Sequence, residues 1–322
     1  MSEGETAHRG APHRYDGPAV FHLGHIKTAS TYLQARVFGQ PGTGSGVPGG
    51  EASRRHLVSE LVVCDPYTFD ACAVAQRFAA LEEPVRVRGL VPVWSDEVLI
   101  GDPCQRAYHG RVVADRLIAM GRDIRVLIVV REQRSFAWSA YRQYLRDGGI
   151  LKLEEFIGRP GLTPSFTPWL RPDYLEFHHA VAHWQGAIGA QHVTVLPYEM
   201  LRGDPAAFMA AIAPLFGQAA LAPADTESVN VAERPAVLGL RRLANRLAPP
   251  GVLGDRPTVV QRALNRGVRY ASGLAPASMD RSVERHAKGM IAALYQERFD
   301  ASNARLSAMT GLDLARWGYP VG

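Results

Sequence analysis

A run of seven consecutive residues constrains the fold of this chain more than any other stretch. Ile124–Val130 reads IRVLIVV, and a near-continuous β-branched run of this kind is typical of strands buried on both faces of a parallel sheet. Amphipathic helical patterns stand on either side of it, at residues 111–121 and 134–146. This arrangement predicts a parallel sheet that is covered by helices on both faces.

The same alternation of strands and helices continues through the first two-thirds of the chain. We therefore predict an α/β fold with a central parallel sheet flanked by helices and a mainly helical C-terminal extension over residues 235–322. A single domain is expected over residues 18–322, after a flexible N-terminal tail at residues 1–17, with two modules as the alternative. Further strands are predicted at residues 19–23, 85–95 and 192–196, a flexible loop at 40–51, and helices at 52–61, 66–81, 173–188, 205–216, 235–247, 258–271 and 280–309.

The first predicted strand leads into a turn that is rich in hydroxyl side chains. After Gly24 the turn carries Lys27, Thr28, Ser30 and Thr31, and a helical pattern follows. The free N–H groups at the start of a helix carry partial positive charge, and phosphate or sulfate binds there readily. Only three of the 36 Lys and Arg residues are lysines, and one of them stands in this turn. The turn is therefore predicted to bind an anion.

A second anion site is predicted where the strand Ile124–Val130 ends. Arg131 follows that strand directly, and Ser139 lies eight residues later in the following helix. Ligands of open α/β sheets lie beyond the C-terminal ends of the strands, which is also where Gly24 stands. An arginine offers a fork of charge-assisted hydrogen bonds and a serine adds one hydroxyl, so the pair is predicted to grip one phosphate.

Both motifs resemble those of the sulfotransferases that use 3′-phosphoadenosine-5′-phosphosulfate (PAPS) as sulfuryl donor. The 5′-phosphosulfate loop of that family reads roughly P-K-[ST]-G-[ST]-T, and the turn KTAST keeps the lysine and hydroxyls but has Ala29 in the place of glycine. The Arg131 and Ser139 pair is similar to the family's 3′-phosphate motif. The resemblance implies a P-loop NTPase-like sulfotransferase fold, PAPS as donor, adenosine 3′,5′-bisphosphate (PAP) as product, and no required metal.

The resemblance extends to the C-terminus through less specific signals. Tyr198, in the segment VLPYEML, stands where the family has an aromatic residue beside the adenine. Asn230 and Arg234, in SVNVAERP, are similar to a late mobile segment that reaches back to the nucleotide. The ending LDLARWGYP resembles that of bacterial members. The resemblance therefore covers nearly the whole chain, although only the two anion motifs are specific.

The residues also suggest how sulfuryl transfer would proceed, since it shares with phosphoryl transfer a loose in-line transition state stabilised by positioning and electrostatics. Lys27 is predicted to neutralise charge on the leaving oxygen. The base that takes the acceptor proton is expected to be Glu97, in a segment that resembles the S-x-E of many bacterial members, with His25 as the second choice. Donors to the sulfuryl oxygens are main-chain N–H groups and the hydroxyls of Thr28, Ser30 and Thr31. Unranked further candidates for the base are His109, His178, His179 and His183.

Composition narrows the classes of partner. A net charge of +5 suits a polyanionic small ligand, but the chain has no basic block with interleaved aromatic residues, which argues against nucleic acid. No apolar run approaches the ~20 residues of a membrane span, and the polar residues 1–17 do not read as a signal peptide. Three cysteines without C-x-x-C spacing argue against a disulfide framework or a zinc site, so a cytoplasmic protein is expected.

Two other functions remain open on the sequence. A P-loop-type nucleotide-dependent kinase would use the same strand, turn and helix, but the turn is shorter than G-x-x-x-x-G-K-[ST] and lacks its second glycine. A non-catalytic nucleotide- or glycan-binding module would keep the fold without turnover. The acceptor is expected to be a small molecule, natural product or glycan with a hydroxyl or amine, and the Pro-rich residues 158–172 are a candidate lid. The oligomeric state stays open.

Overall fold

The computed structural model describes residues 14–158, 167–221, 233–249 and 258–322, and a five-stranded sheet lies at its centre. The strands lie in the order β2-β3-β1-β4-β5, and every pairing between neighbours is parallel. The predicted α/β class with a central parallel sheet is therefore confirmed. In chain order the strands are β1 (Ala19–His22), β2 (Ser45–Gly46), β3 (Val91–Ser95), β4 (Ile124–Val130) and β5 (Val193–Pro197).

Helices cover both faces of this sheet and make up most of the chain after β5. The α-helices are α1 (Ser30–Arg36), α2 (Ser53–Leu57), α3 (Ala71–Arg86), α4 (Gly110–Ala119), α5 (Gln133–Arg146), α6 (Leu153–Ile157), α7 (His178–Ile188), α8 (Tyr198–Gly203), α9 (Pro205–Ile212), α10 (Leu238–Leu247), α11 (Val259–Leu274), α12 (Ala277–Tyr295) and α13 (Asp300–Thr310). A π-helical turn at Val58–Val63 continues α2, and a 3₁₀ turn at Glu97–Ile100 follows β3.

The side chains of β4 alternate between two apolar layers. Val126, Ile128 and Val130 lie in a layer with residues of α3, α4, α5 and α7. Leu127 and Val129 lie in the opposite layer with residues of α1, α8 and α9. Because all five side chains are fully buried, no position between Val126 and Val130 tolerates a polar residue, which explains the continuous apolar run.

The C-terminal helices pack onto the first of these layers. Ile291 and Tyr295 of α12 belong to the same buried cluster as the strands, and so do Phe299 and Leu306 around α13. The predicted helical extension is therefore present, with a joint at Phe299 between the two helices. That residues 18–322 form one domain stays a prediction.

Several element boundaries differ from the sequence prediction, among them the following three. The strand predicted from residue 85 begins at Val91, because Val85 belongs to the last turn of α3 and is only 2% exposed there. The helix predicted from residue 66 begins at Ala71, where the carboxylate of Asp70 accepts a hydrogen bond from the N–H of Ala73 at 3.0 Å. The predicted flexible loop at residues 40–51 contains β2, which is too short to carry a periodic pattern.

Crossing a bilayer requires a long apolar helix, and none of the helices in the described ranges meets both conditions.

Candidate active site

The turn between β1 and α1 is wound tightly because three of its residues have left-handed backbone angles. Gly24 has φ 92°, Lys27 has φ 61° and Ala29 has φ 67°. Ala29 occupies the position just before α1, where the sulfotransferase pattern has glycine. A residue with a Cβ pays roughly 1 kcal/mol for this conformation. The geometry therefore gives a physical reason for glycine at this position, and Ala29 occupies it under strain.

The hydroxyl groups of the turn face in two directions. Thr28 is fully buried, and its Oγ1 donates to the carbonyl of His25. Ser30 is also buried, and its Oγ lies 3.4 Å from the same carbonyl. Thr31 is exposed and lines a cavity beside the turn. Of the three predicted hydroxyl donors, Thr31 is thus the one that is open to a ligand in this conformation.

The side chain of Lys27 lies against α5. Its Nζ donates to Oε1 of Gln143 at 3.2 Å. Burial lowers the pKa of Lys27, and the nearby positive charges of Arg146 and Arg131 lower it further. A bound anion would reverse this effect, because it would stabilise the ammonium form. Among the described residues no carboxylate pairs with Lys27, and the positive charges of Lys27, Arg146 and Arg131 lie close to one another beside the turn.

Arg131 connects the end of β4 to the turn. Its Nη1 donates to the carbonyl of Lys27 at 2.8 Å, and its guanidinium lies 4.7 Å from the ring centroid of Tyr198. Its Nε is buried and has no hydrogen-bond partner among the described residues. Burial lowers the pKa of Arg131. Two of the predicted donor-binding residues, Arg131 and Tyr198, therefore lie together beside the turn.

Ser139 and Arg142 share one side of α5, because they are three residues apart. Ser139 is half-buried two turns into the helix. The Nη2 of Arg142 donates to the carbonyl of Glu233, while its Nε is buried without a partner among the described residues. Burial lowers the pKa of Arg142, and the charge of Arg131 lowers it further. Arg142 was not among the residues predicted from the sequence to bind the donor. Its position three residues after Ser139 was the signal that could have identified it.

Glu97 follows β3 and packs directly against the turn. A Cβ added to Gly24 would lie 2.8 Å from both the Cα and the Cβ of Glu97, so the close approach requires glycine. Burial raises the pKa of the Glu97 carboxyl, and the neighbouring charge of Asp96 raises it further. The structure therefore brings the predicted base to the predicted sulfate-binding turn.

A cavity of about 300 Å³ opens between α1, α2 and the end of β3. Its wall carries both hydrogen-bond donors and acceptors, and several of these side chains are held in place by contacts with one another. Arg54 Nε pairs with the buried Asp96 carboxylate at 2.6 Å. Gln34 donates to Oγ of Ser95 at 3.1 Å. The lining residues are Thr31, Gln34, Phe38, Val47, Gly50, Glu51, Ser53, Arg54, Val93, Ser95, Asp96 and Glu97.

His25 points away from this cavity into the apolar core. Its ring lies 4.7 Å from Phe177 and 5.5 Å from Tyr174, measured between ring centroids. Its Nδ1 lies 3.3 Å from the carbonyl of Val129. Burial lowers the pKa of His25 to about 4. Its surroundings are therefore those of a neutral core histidine, in contrast to those of Glu97.

The remaining predicted histidines are engaged elsewhere. His109 Nε2 lies 2.7 Å from the carbonyl of Val98, and His183 Nε2 lies 3.1 Å from Oδ1 of Asp115. His178 and His179 form, with Glu176, a group whose ligand atoms lie within 4.8 Å of one another, the only such group found in the described residues. This group belongs to the start of α7, and Glu176 already pairs with Arg298 at 3.2 Å.

Only part of the late segment predicted for the donor site lies within the described residues. Asn230 lies outside the described residues, and so does the middle of the candidate lid, 159–166. Arg234 is described, and it pairs with the carboxylate of Asp280 at 2.6 Å and donates to the carbonyl of Ser272 at 2.6 Å. The structure therefore does not bring Arg234 into contact with the turn or with Arg131, and its nucleotide role stays a prediction.

Comparison with known proteins adds a likeness in structure. No family model and no curated protein sequence matches this chain. Among solved structures, a sulfotransferase from Alicyclobacillus acidocaldarius is similar, with 17% sequence identity and a TM-score of 0.47, covering 93% of this chain and 98% of that one. At so low an identity and TM-score, the likeness says nothing about the activity of the present chain.

Proposed function

We propose that this protein is a PAPS-dependent sulfotransferase. The observation that carries the proposal is the hydrogen bond from Arg131 to the carbonyl of Lys27, which joins the two anion motifs at neighbouring strand ends. One ligand that carries an anionic group at each end would satisfy both motifs. A nucleotide with a 5′-phosphosulfate and a 3′-phosphate has this form.

The donor roles follow from the position of each group. The turn with Lys27 and Thr31 would hold the 5′-phosphosulfate at the start of α1. Arg131, Ser139 and Arg142 would hold the 3′-phosphate. The Nε atoms of Arg131 and Arg142 are buried without a partner in the described part of the chain, and a phosphate oxygen would accept hydrogen bonds from them. The ring of Tyr198 would lie beside the adenine. Main-chain N–H groups around Ala29, with Thr28 and Ser30 shaping the turn, complete the anion site.

The chemistry is an in-line transfer of the sulfuryl group. The acceptor oxygen or nitrogen attacks sulfur, the bond from sulfur to the bridging oxygen of PAPS breaks, and PAP leaves. Lys27 would neutralise the charge that develops on that bridging oxygen. Glu97 would take the acceptor proton, and burial makes its carboxylate a stronger base by raising its pKa.

The acceptor would enter the cavity beside Glu97. The polar wall of the cavity, with side chains such as Gln34 and Arg54, suits an acceptor rich in hydroxyl or amino groups, such as a glycan unit or a polar natural product. The proposal also includes a cytoplasmic location and an acceptor group that is either a hydroxyl or an amine.

Calorimetry with PAP tests the proposal. We expect PAP to bind at least tenfold more tightly than adenosine 5′-phosphate, because the 3′-phosphate would gain charge-assisted hydrogen bonds. Equal affinity for the two nucleotides would overturn the donor assignment. Binding of ATP that requires magnesium and exceeds that of PAP would favour the kinase alternative. Intact PAPS binding without transfer to any acceptor of a broad panel, followed by mass spectrometry, would favour a non-catalytic module.

A further inference from the structure

Helices α10 and α11 each carry an apolar face that points to solvent. The two helices pack against one another through Ala244 and Val268. Their outward side chains remain uncovered by any described residue, with exposed fractions of 66% for Leu247, 72% for Tyr270 and 68% for Leu274. The exposed apolar residues of the pair are Leu240, Leu243, Leu247, Val259, Val260, Tyr270 and Leu274.

The spacing of these residues shows that they form faces. Leu240, Leu243 and Leu247 are three and four residues apart, so they lie on one side of α10. The other side of α10 is anchored, because Nδ2 of Asn245 donates to the carbonyls of Leu145 and Gly149 at 2.7 and 2.8 Å. Each helix thus has two apolar faces, one that attaches it to the protein and one that is exposed. Folding alone does not require the exposed face.

Positive charge accompanies this exposed apolar surface. The two helices contain six arginines and no aspartate or glutamate, although the whole chain has 36 Lys and Arg against 31 Asp and Glu. Arg262, Arg266 and Arg269 are exposed and follow one another at three- and four-residue spacing along α11. This basic row runs beside the face that carries Val259 and Tyr270. The remaining arginines of the pair are Arg241, Arg242 and Arg246.

We propose that α10 and α11 dock this protein on the surface of a bilayer that contains anionic lipids. Helices with an apolar face flanked by arginines lie in the plane of such a surface, with the apolar side chains at the boundary between headgroups and acyl chains and the arginines at the lipid phosphates. The attachment is peripheral. It uses no residue of the donor site, so it does not rest on the proposed function.

The charge pattern also favours a bilayer over other occupants. In a symmetric pair formed through this face, the basic row of each copy would approach the same row of its partner, and like charges would oppose the contact. A nucleic acid would attract the arginines but leave Leu243, Leu247 and their neighbours in water, since it offers no apolar surface of matching extent. An anionic bilayer offers lipid phosphates to the arginines and acyl chains to the apolar side chains.

Sedimentation of the full-length protein with lipid vesicles tests the proposal. We expect the protein to pellet with vesicles of phosphatidylcholine and phosphatidylglycerol, and to bind pure phosphatidylcholine much less. The combined variant Arg262→Gln, Arg266→Gln and Arg269→Gln should bind these vesicles about a hundredfold more weakly. Each arginine near an anionic surface strengthens binding by roughly fivefold, and the variant removes three of them. Its matched control carries the same change at three exposed arginines elsewhere, Arg88, Arg285 and Arg305, and should bind like the parent.

A second variant tests the apolar half of the surface. Leu243→Ser, Leu247→Ser, Val259→Ser and Val260→Ser together should weaken vesicle binding at least tenfold, whereas Val63→Ser with Tyr67→Ser, at 72% and 98% exposure, should not.

Circular dichroism melting of each variant establishes that it is folded. Failure of the parent to bind anionic vesicles, or binding of both variants as strong as that of the parent, overturns the proposal. A dimer by light scattering that only the serine variant abolishes would assign the face to a second copy instead. Calorimetry with PAP on the same variants reports separately on the donor site.

Discussion

Arg131 donates a hydrogen bond from Nη1 to the main-chain carbonyl of Lys27, 2.8 Å away, across 104 residues of sequence. The contact exists because β1 and β4 are neighbours in the sheet and end at the same edge. It places the guanidinium between the lysine turn and the ring of Tyr198, 4.7 Å from that ring's centroid. The proposed binding of one nucleotide by both motifs depends on this contact.

Arg131→Lys should therefore weaken PAP binding about 10- to 100-fold. The lysine keeps the charge but cannot contact the Lys27 carbonyl and a phosphate at once, and a charge-assisted bond is worth about 1.5–3 kcal/mol. Arg125→Lys is a matched control, because Arg125 lies on the same strand and also donates to a carbonyl, that of Pro214 at 3.3 Å. Calorimetry measures both. An equal loss in the two variants would mean that the effect is structural.

Arg142→Gln should reduce the preference for PAP over adenosine 5′-phosphate. If Arg142 faces the 3′-phosphate, its loss weakens the nucleotide that carries this group by about tenfold and leaves the other nearly unchanged. Arg134→Gln, on the same helix in a part-buried pair with Glu132 at 3.0 Å, should alter neither affinity. A parallel loss for both nucleotides on the Arg142 variant would remove this residue from the proposed phosphate site.

Glu97→Gln should lower kcat by about 10²- to 10⁴-fold while PAP affinity is kept, since only the proton acceptor is removed. Glu51→Gln, at the exposed rim of the same cavity, should leave kcat within about twofold. For the parent, kcat should rise with pH through the pKa of Glu97, which burial raises above the ordinary value of a glutamate. If kcat of the Glu97 variant still rises with pH in the same range, another residue is the base.

The same variant should also be more stable than the parent at pH 7. Because the folded protein raises the pKa of Glu97, the ionised carboxylate destabilises the folded state at any pH above that raised pKa. Glutamine avoids this cost, and the difference should disappear below the ordinary pKa of a glutamate, where both states hold a neutral carboxyl. Urea unfolding at pH 7 and pH 4 measures the free energy of unfolding. A Gln variant that is less stable at pH 7 would contradict the burial argument.

Ala29→Gly should keep or raise the free energy of unfolding by up to about 1 kcal/mol. Glycine relieves the strain of φ 67°, although it adds backbone entropy to the unfolded chain. Ala35→Gly, six residues later in the ordinary helical part of α1, should lower the same quantity by roughly 0.5–1 kcal/mol. Chemical denaturation of the pair provides the comparison, and an equal loss in both variants would argue against strain at Ala29.

Local sequence patterns were sufficient for much of the fold. The strand Ile124–Val130 was recognisable because five of its residues, Val126–Val130, are apolar and fully buried, as they must be when both faces of the sheet are covered. The turn around Lys27 was recognisable as a candidate anion site because a site of this kind at a helix start needs residues that are close in sequence. Patterns of this kind are carried by neighbouring residues and can be read one segment at a time.

What depended on contacts between distant segments was decided only by the tertiary structure. The approach of Glu97 to Gly24 and the position of Arg142 beside Ser139 and Arg131 follow from the way the strands pair and the helices pack. The burial of His25 follows likewise from rings contributed by other elements. Sequence determined which groups could bind an anion, while the packing of the whole chain determined which of them face one site, because burial and charge are properties of surroundings that the local sequence does not contain.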